Sequence, residues 1–167
     1  MYNRMTQSDI RKMQEEIEHR KLVIRKEALE DVKEARAHGD LSENFEYKAA
    51  KQFKNKNESR IRYLERMIKT AILIEDHKAV DEAGINSLVT VYFPEDDVEE
   101  TYKLVTTVRS NSIQGKISIE SPLGKAIRGH KCHDKVRVEI NSDSAYDIII
   151  MKIDQSENDD EDEISKY

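Results

Sequence analysis

Three carboxylates fall within seven residues in the stretch HGDLSENFEY, residues 38–47: Asp40, Glu43 and Glu46. Carboxylates at i and i+3 around a helix start lie on nearly the same face, and the positive end of the helix dipole keeps them ionised. Such a pair offers hard oxygen ligands suited to Mg²⁺, which takes one or two protein carboxylates and completes its shell with water and phosphate. Two carboxylates alone bind the ion weakly, so the other ligands have to come from a partner. A purely structural account uses the same residues: Gly39 ends one helix, Asp40 is the N-cap of the next, and Glu43 completes a capping-box-like arrangement. The two accounts are not exclusive.

The elements on either side say where this stretch sits. Ile10, Met13, Ile17, Ile24, Ala28 and Ala35 recur at steps of three, four or seven, the seam of a helix packed against one partner. Leu22, Val23, Leu29 and Val32 widen or rotate that seam. No Gly or Pro interrupts residues 8–38, which predicts one helix of about 30 residues, about 45 Å at 1.5 Å per residue. Tyr47, Ala50, Asn57, Ile61, Leu64, Ile68 and Ala71 repeat the pattern, with polar Asn57 at a core step as a softened or register-fixing point. Two matched helices joined by a minimal turn run antiparallel, which puts HGDLSEN at the tip of a long hairpin. After Glu75 the period becomes alternating: 87–93, 101–108, 115–121, 134–140 and 145–153 are β-branched-rich runs separated by turns. They predict a small antiparallel sheet, with one short helix in PLGKAIRG. The fold class is thus α+β, with a coiled-coil hairpin over 1–77 (acidic tip 39–46), a sheet domain over 78–153 and a tail over 154–167.

Composition agrees with two small units. Charged residues make up 37% of the chain and aromatics 6%, with no Trp, which suits a long exposed hairpin better than one large core. Lone Cys132 excludes an internal disulfide and fits a reducing compartment. No signal peptide or run of 18 apolar residues is present, so a soluble, cytoplasmic protein is expected. Residues 1–74 hold 17 Lys+Arg against 13 Asp+Glu, a weak footprint for direct nucleic-acid binding. DQSENDDEDE, residues 154–163, carries seven acids and no apolar residue, and is expected to be disordered.

EARAHGDLSENFEYKAAK resembles the signature of the bacterial Gre transcript cleavage factors, and SPLGKAIRG is similar to the second signature of that family, in order and with matching spacing from about Met5 to Ile153. The resemblance implies an antiparallel coiled coil followed by a globular domain of the FKBP type. It implies a protein, monomeric when free, that binds RNA polymerase and reaches through its secondary channel to the 3′ end of backtracked nascent RNA. Asp40 and Glu43 would there help hold a weakly bound second Mg²⁺, shared with the polymerase, and orient a water for endonucleolytic cleavage. Chemically this is two-metal phosphodiester hydrolysis, with ions about 4 Å apart stabilising the attacking and leaving oxygens. Glu46, one turn beyond Glu43, would add outer charge. On this reading the chain is an accessory factor, not itself an enzyme.

Other positions carry paired readings. Arg36 and Lys51 match basic positions of the family and would contact RNA, or are solvated coiled-coil charges. Ser121, Pro122 and Leu123 match the loop the family docks on the polymerase rim, or form a plain turn. His130, Cys132 and His133 lack the separated pairs of a tetrahedral zinc site. Two other functions are weighed. A Gre-like inhibitor would occlude the channel without promoting cleavage, which the intact DLSEN disfavours. An autonomous prolyl isomerase is disfavoured by the few aromatics of residues 84–153.

Overall fold

The computed structural model describes residues 3–39, 44–76, 79–155 and 157–166. It divides into two units, Ile10–Ala71 and Met1–Asp9 with Ile72–Tyr167.

The first unit is the hairpin. Helix α1 (Gln7–His19), a π-helical turn (Arg20–Ile24) and α2 (Arg25–Arg36) make one arm, and α3 (Phe45–Lys69) the other. The seam closes over Met13, Ala28, Val32 and Ala35 from one side and Ile61 and Leu64 from the other, all buried. The π turn answers Asn57. Asn57 is buried, accepts from Arg20 Nη1 at 3.0 Å and donates Nδ2 to the Arg20 carbonyl at 3.3 Å. A π turn carries an extra residue and loosens the usual ladder, so a carbonyl becomes available to a side chain across the seam. The same phase shift explains a difference from the sequence pattern: Leu22 and Val23 are exposed and do not widen the seam, and Leu29 is exposed as well. Glu16–Arg60 (3.2 Å), Arg25–Glu58 (2.7 Å) and Lys21–Glu65 (2.7 Å) bridge the arms around this point and hold the register.

The second unit is α+β. Its main sheet has the order β5 (Lys116–Ser118), β4 (Val98–Val105), β3 (Leu88–Phe93), β7 (Ser144–Asp154), β6 (Lys135–Asn141). Each strand overlaps a predicted run. The β3–β4, β3–β7 and β6–β7 pairs are antiparallel, but β4–β5 is parallel, so the sheet is mixed where an antiparallel one was expected. The reason is the connection: two 3₁₀ turns, Thr107–Arg109 and Ser112–Gln114, carry the chain back before β5 starts. Alternation along the strands sends Val89, Val91, Val136, Val138, Ile148 and Ile150 into one core, joined by Ile127 of the short helix α4 (Pro122–Ile127).

Two further features depart from the pattern. The chain start belongs to the second unit: β1 (Arg4–Met5) pairs in parallel with β2 (Ile72–Leu73), and Met5 is fully buried. The unit therefore resumes at Ile72, ahead of the boundary expected in 75–84. The acidic tail is also placed. Asp162 is only 5% exposed and the Ser165 N–H donates to the Val108 carbonyl at 2.7 Å. Counting acids leaves out their partners, and here buried cations of the sheet domain meet the carboxylate in place of apolar contact. No helix among the described residues is long and apolar enough to cross a membrane.

Candidate functional site

Helix α2 ends at Arg36. The Ala37 N–H still donates to the Lys33 and Glu34 carbonyls, and Gly39 takes φ +108°, which a side chain would disfavour. The other arm starts at Phe45, and its N-cap is Asn44: extended backbone, with Oδ1 accepting from the Tyr47 N–H at 3.0 Å. Asn44 Nδ2 also donates to the Ala35 carbonyl at 2.7 Å, so one side chain satisfies a donor of α3 and ties it to the opposite arm. This corrects the expectation that Asp40 is the N-cap with Glu43 as its capping-box partner. Asp and Asn cap equally well, and only the length of the turn decides between them. Asp40 and Glu43 themselves lie outside the described residues.

Around the turn the side chains are basic and aromatic. The Arg36 guanidinium lies over the Tyr47 ring, 5.6 Å from its centroid, bridging the arms. The hydrogen bond from Arg36, helped by the charges of Lys51 and Lys54, pulls the Tyr47 hydroxyl below its usual pKa. Lys48 Nζ stands 5.6 Å from the centroid of Phe45, which is 80% exposed. Lys51 and Glu46 are exposed on the first turns of α3. Arg36 is exposed even while it stacks on Tyr47, and Lys51 is exposed as well. An exposed Phe beside a stacked Tyr is a surface that the sequence reading passed over, although FEY directly follows DLSEN. His38, two residues before Asp40 in sequence, is exposed as well.

No group of three or more His, Cys, Asp or Glu among the described residues is arranged to hold a metal. His130, Cys132 and His133 sit in the turn before β6: His130 Nδ1 is 3.2 Å from Asp134 Oδ2, Cys132 is exposed, and His133 has φ +72°. The Lys131 N–H and His130 together hold the Asp134 carboxyl below its usual pKa.

Two family descriptions cover most of the sequence: "Transcription elongation factor, N-terminal" matches residues 3–72, and "Transcription elongation factor, GreA/GreB, C-term" matches residues 77–155. Transcription elongation factor GreA of Lachnoclostridium phytofermentans is 38% identical over 155 residues, which is 92% of this chain and 96% of that protein. The chain belongs to the GreA/GreB transcription elongation factor family. GreA of Macrococcus caseolyticus is 40% identical over 149 residues, 89% of this chain and 94% of its own length. Among solved structures, that of the GreA factor homolog Gfh1 of Thermus thermophilus covers 92% of this chain and 99% of its own, at 24% identity and a TM-score of 0.42.

The stretch SPLGKAIRG has a structural task at each residue singled out. Ser121 is the N-cap of α4: its Oγ accepts from the Gly124 N–H at 3.1 Å and donates to the Ser118 carbonyl at 2.6 Å. Pro122 occupies the first turn, where its missing N–H costs nothing, and Leu123 packs against the core. Gly124 is required because a Cβ there would come within 1.9 Å of the Ser118 carbonyl oxygen. Of the three residues read as a docking loop, Pro122 alone is exposed.

Proposed function

We propose that this GreA/GreB factor binds RNA polymerase, inserts its hairpin into the secondary channel and stimulates the polymerase's own Mg²⁺-dependent cleavage of backtracked RNA, thereby rescuing arrested complexes in the cytoplasm. The observation that carries the reading is the N-cap. Asn44 caps α3 and joins the two arms, which removes the one structural task the sequence offered to Asp40 and Glu43. Two carboxylates that α3 does not need as caps, in the sequence joining the arms of a hairpin about 45 Å long, suit delivery to a distant and narrow site.

Asp40 and Glu43 are the residues that would contact the ion, and hard oxygen donors match what Mg²⁺ takes. When bound, the ion would supply charge neutralisation at the reacting phosphate and an activated water. The chain's other tip residues position the substrate. Arg36, stacked on Tyr47, and exposed Lys51 present positive charge to the displaced RNA backbone, and Phe45 offers a ring face to an unpaired base. Pro122, with Ser121 and Leu123 holding its loop, is the contact proposed for the polymerase rim. The factor alone lacks a full set of ligands and is catalytically silent.

The test is cleavage of a 5′-labelled transcript in a stalled, backtracked polymerase complex with Mg²⁺, comparing wild type with Asp40→Ala and Glu43→Ala at matched occupancy. The reading requires wild type to shorten the RNA and each variant to bind yet lose at least 10-fold in rate. Binding that slows elongation without cutting contradicts it, as does RNA hydrolysis by the purified factor free of polymerase.

A further inference from the structure

Family similarity ends at residue 155, yet the chain continues, and its last residues are seated on the second unit. The Asp162 carboxylate meets three cations from three different segments: Arg109 Nη1 at 2.8 Å, Lys116 Nζ at 2.9 Å and Lys103 Nζ at 3.0 Å. Lys103 also donates to the Asn158 carbonyl. Three residues after Asp162, the Ser165 N–H donates to the Val108 carbonyl at 2.7 Å and its Oγ to the Ser110 carbonyl at 2.9 Å. An acidic side chain, a backbone N–H and a hydroxyl are thus read at fixed spacing along the edge formed by Thr107–Arg109 and its neighbours.

The receiving side is prepared for an anion. Arg109 is 1% exposed and is held from behind: Nε lies 2.6 Å from Asp9 Oδ1, Nη1 donates to Asn86 Oδ1 at 2.9 Å, and Thr106 Oγ1 donates to Asp9 Oδ2 at 2.7 Å. One carboxylate, that of Asp9, cannot balance Arg109, Lys103 and Lys116. Arg109 Nη2 is buried and has no hydrogen-bond partner among the described residues. Beside Asp162 an open cleft of about 420 Å³ is shared by Lys103, Lys116 and the tail residues Glu157, Asp160 and Glu161.

We propose that Lys103, Arg109 and Lys116, with the Val108 and Ser110 carbonyls, form a recognition site for an extended acidic peptide carrying Asp three residues before Ser, and that the tail is a tethered ligand occupying it in competition with such a segment of a protein partner. The three cations lie inside the family match and the carboxylate outside it, so site and plug are separable parts of the sequence. A tether of this length presents its ligand at an effective concentration of about millimolar, which suppresses weak competitors without blocking tight ones. Peptide is favoured over nucleic acid because two of the contacts are carbonyls that accept from an N–H and a hydroxyl, groups a phosphate backbone does not offer together.

The probe is a fluorescein-labelled peptide of the tail itself, residues 157–166, titrated into full-length protein and followed by anisotropy. Asp162→Asn, which frees the site, should bind it at least 10-fold more tightly than wild type. Adding Lys116→Gln to that variant, or scrambling the peptide, should each weaken binding at least 10-fold. Equal affinity of wild type and Asp162→Asn, no binding to either at 1 mM, or a single-stranded RNA of equal charge binding as well as the peptide, overturns the proposal. A readout on wild type guards against misfolding of the variant: excess unlabelled peptide should speed hydrogen exchange at the Ser165 amide at least 10-fold. Unchanged exchange at 1 mM peptide overturns the proposal independently.

Discussion

Arg60 in the hairpin and Arg109 in the second unit are both buried arginines, but they are buried on different terms. Arg60 answers Glu16, whose side chain is 27% exposed, while Arg109 lies between Asp9 and Asp162, which water scarcely reaches. In a two-helix rod every seam residue is one side chain from solvent, so polar groups there set register at little cost in desolvation. Inside the sheet unit a charge without its partner has no such escape. The hairpin's buried polar residues thus serve alignment, and those of the second unit serve integrity.

The largest effect tests that contrast. Arg109→Met should cost about 3–5 kcal/mol, because Asp9 is left buried without its cation while Asp162 keeps Lys103 and Lys116, whereas Arg60→Met should cost about 1 kcal/mol. Urea denaturation of both variants checks this, and similar losses would break the distinction.

A smaller effect separates structure from chemistry at the tip. Asn44→Ala removes the cap and should cost the hairpin about 1 kcal/mol in thermal unfolding, while Asp40→Ala and Glu43→Ala should leave stability within about 0.5 kcal/mol. A loss of about 1 kcal/mol in Asp40→Ala would restore it as a cap.

The smallest concerns pH and sharpens the picture of the tail. Burial alone would raise the Asp162 carboxyl, but hydrogen bonds from Lys116, Lys103 and Arg109 outweigh it and hold the pKa down to about 2. A carboxyl depressed by folding contributes stability that is complete above its unfolded pKa of about 3.9 and is lost as pH falls through the folded value. Protection of the Ser165 amide, corrected for intrinsic exchange, should therefore be flat from about pH 8 to 5 and fall between about 4 and 2.

Much of this was legible in the sequence. Spacing of Met13, Ala28 and Ala35 against Ile61 and Leu64 pointed to the hairpin, because steps of three and four leave one face to bury. Asn57 was readable as a polar core residue, but the π turn opposite it was not, since nothing in RKLVI marks an extra residue. The five sheet strands were visible through alternation. The parallel β5 was not, because pairing direction depends on how the 3₁₀ turns steer the chain. At the tip, Asp40 and Asn44 are equally good caps, and choosing between them needs the backbone. The tail's placement rests on Arg109, Lys103 and Lys116 converging from separate segments, a tertiary fact that composition does not carry.

The central claim is that the tip supplies ligands for an ion, and its most direct test is the Mg²⁺ dependence of transcript cleavage in a backtracked complex saturated with factor. Wild type should lower the Mg²⁺ concentration for half-maximal cleavage at least 10-fold relative to Glu43→Gln, with the variant's rate recovering at high Mg²⁺. An identical Mg²⁺ midpoint for the two, whatever their maximal rates, would contradict metal delivery by Asp40 and Glu43.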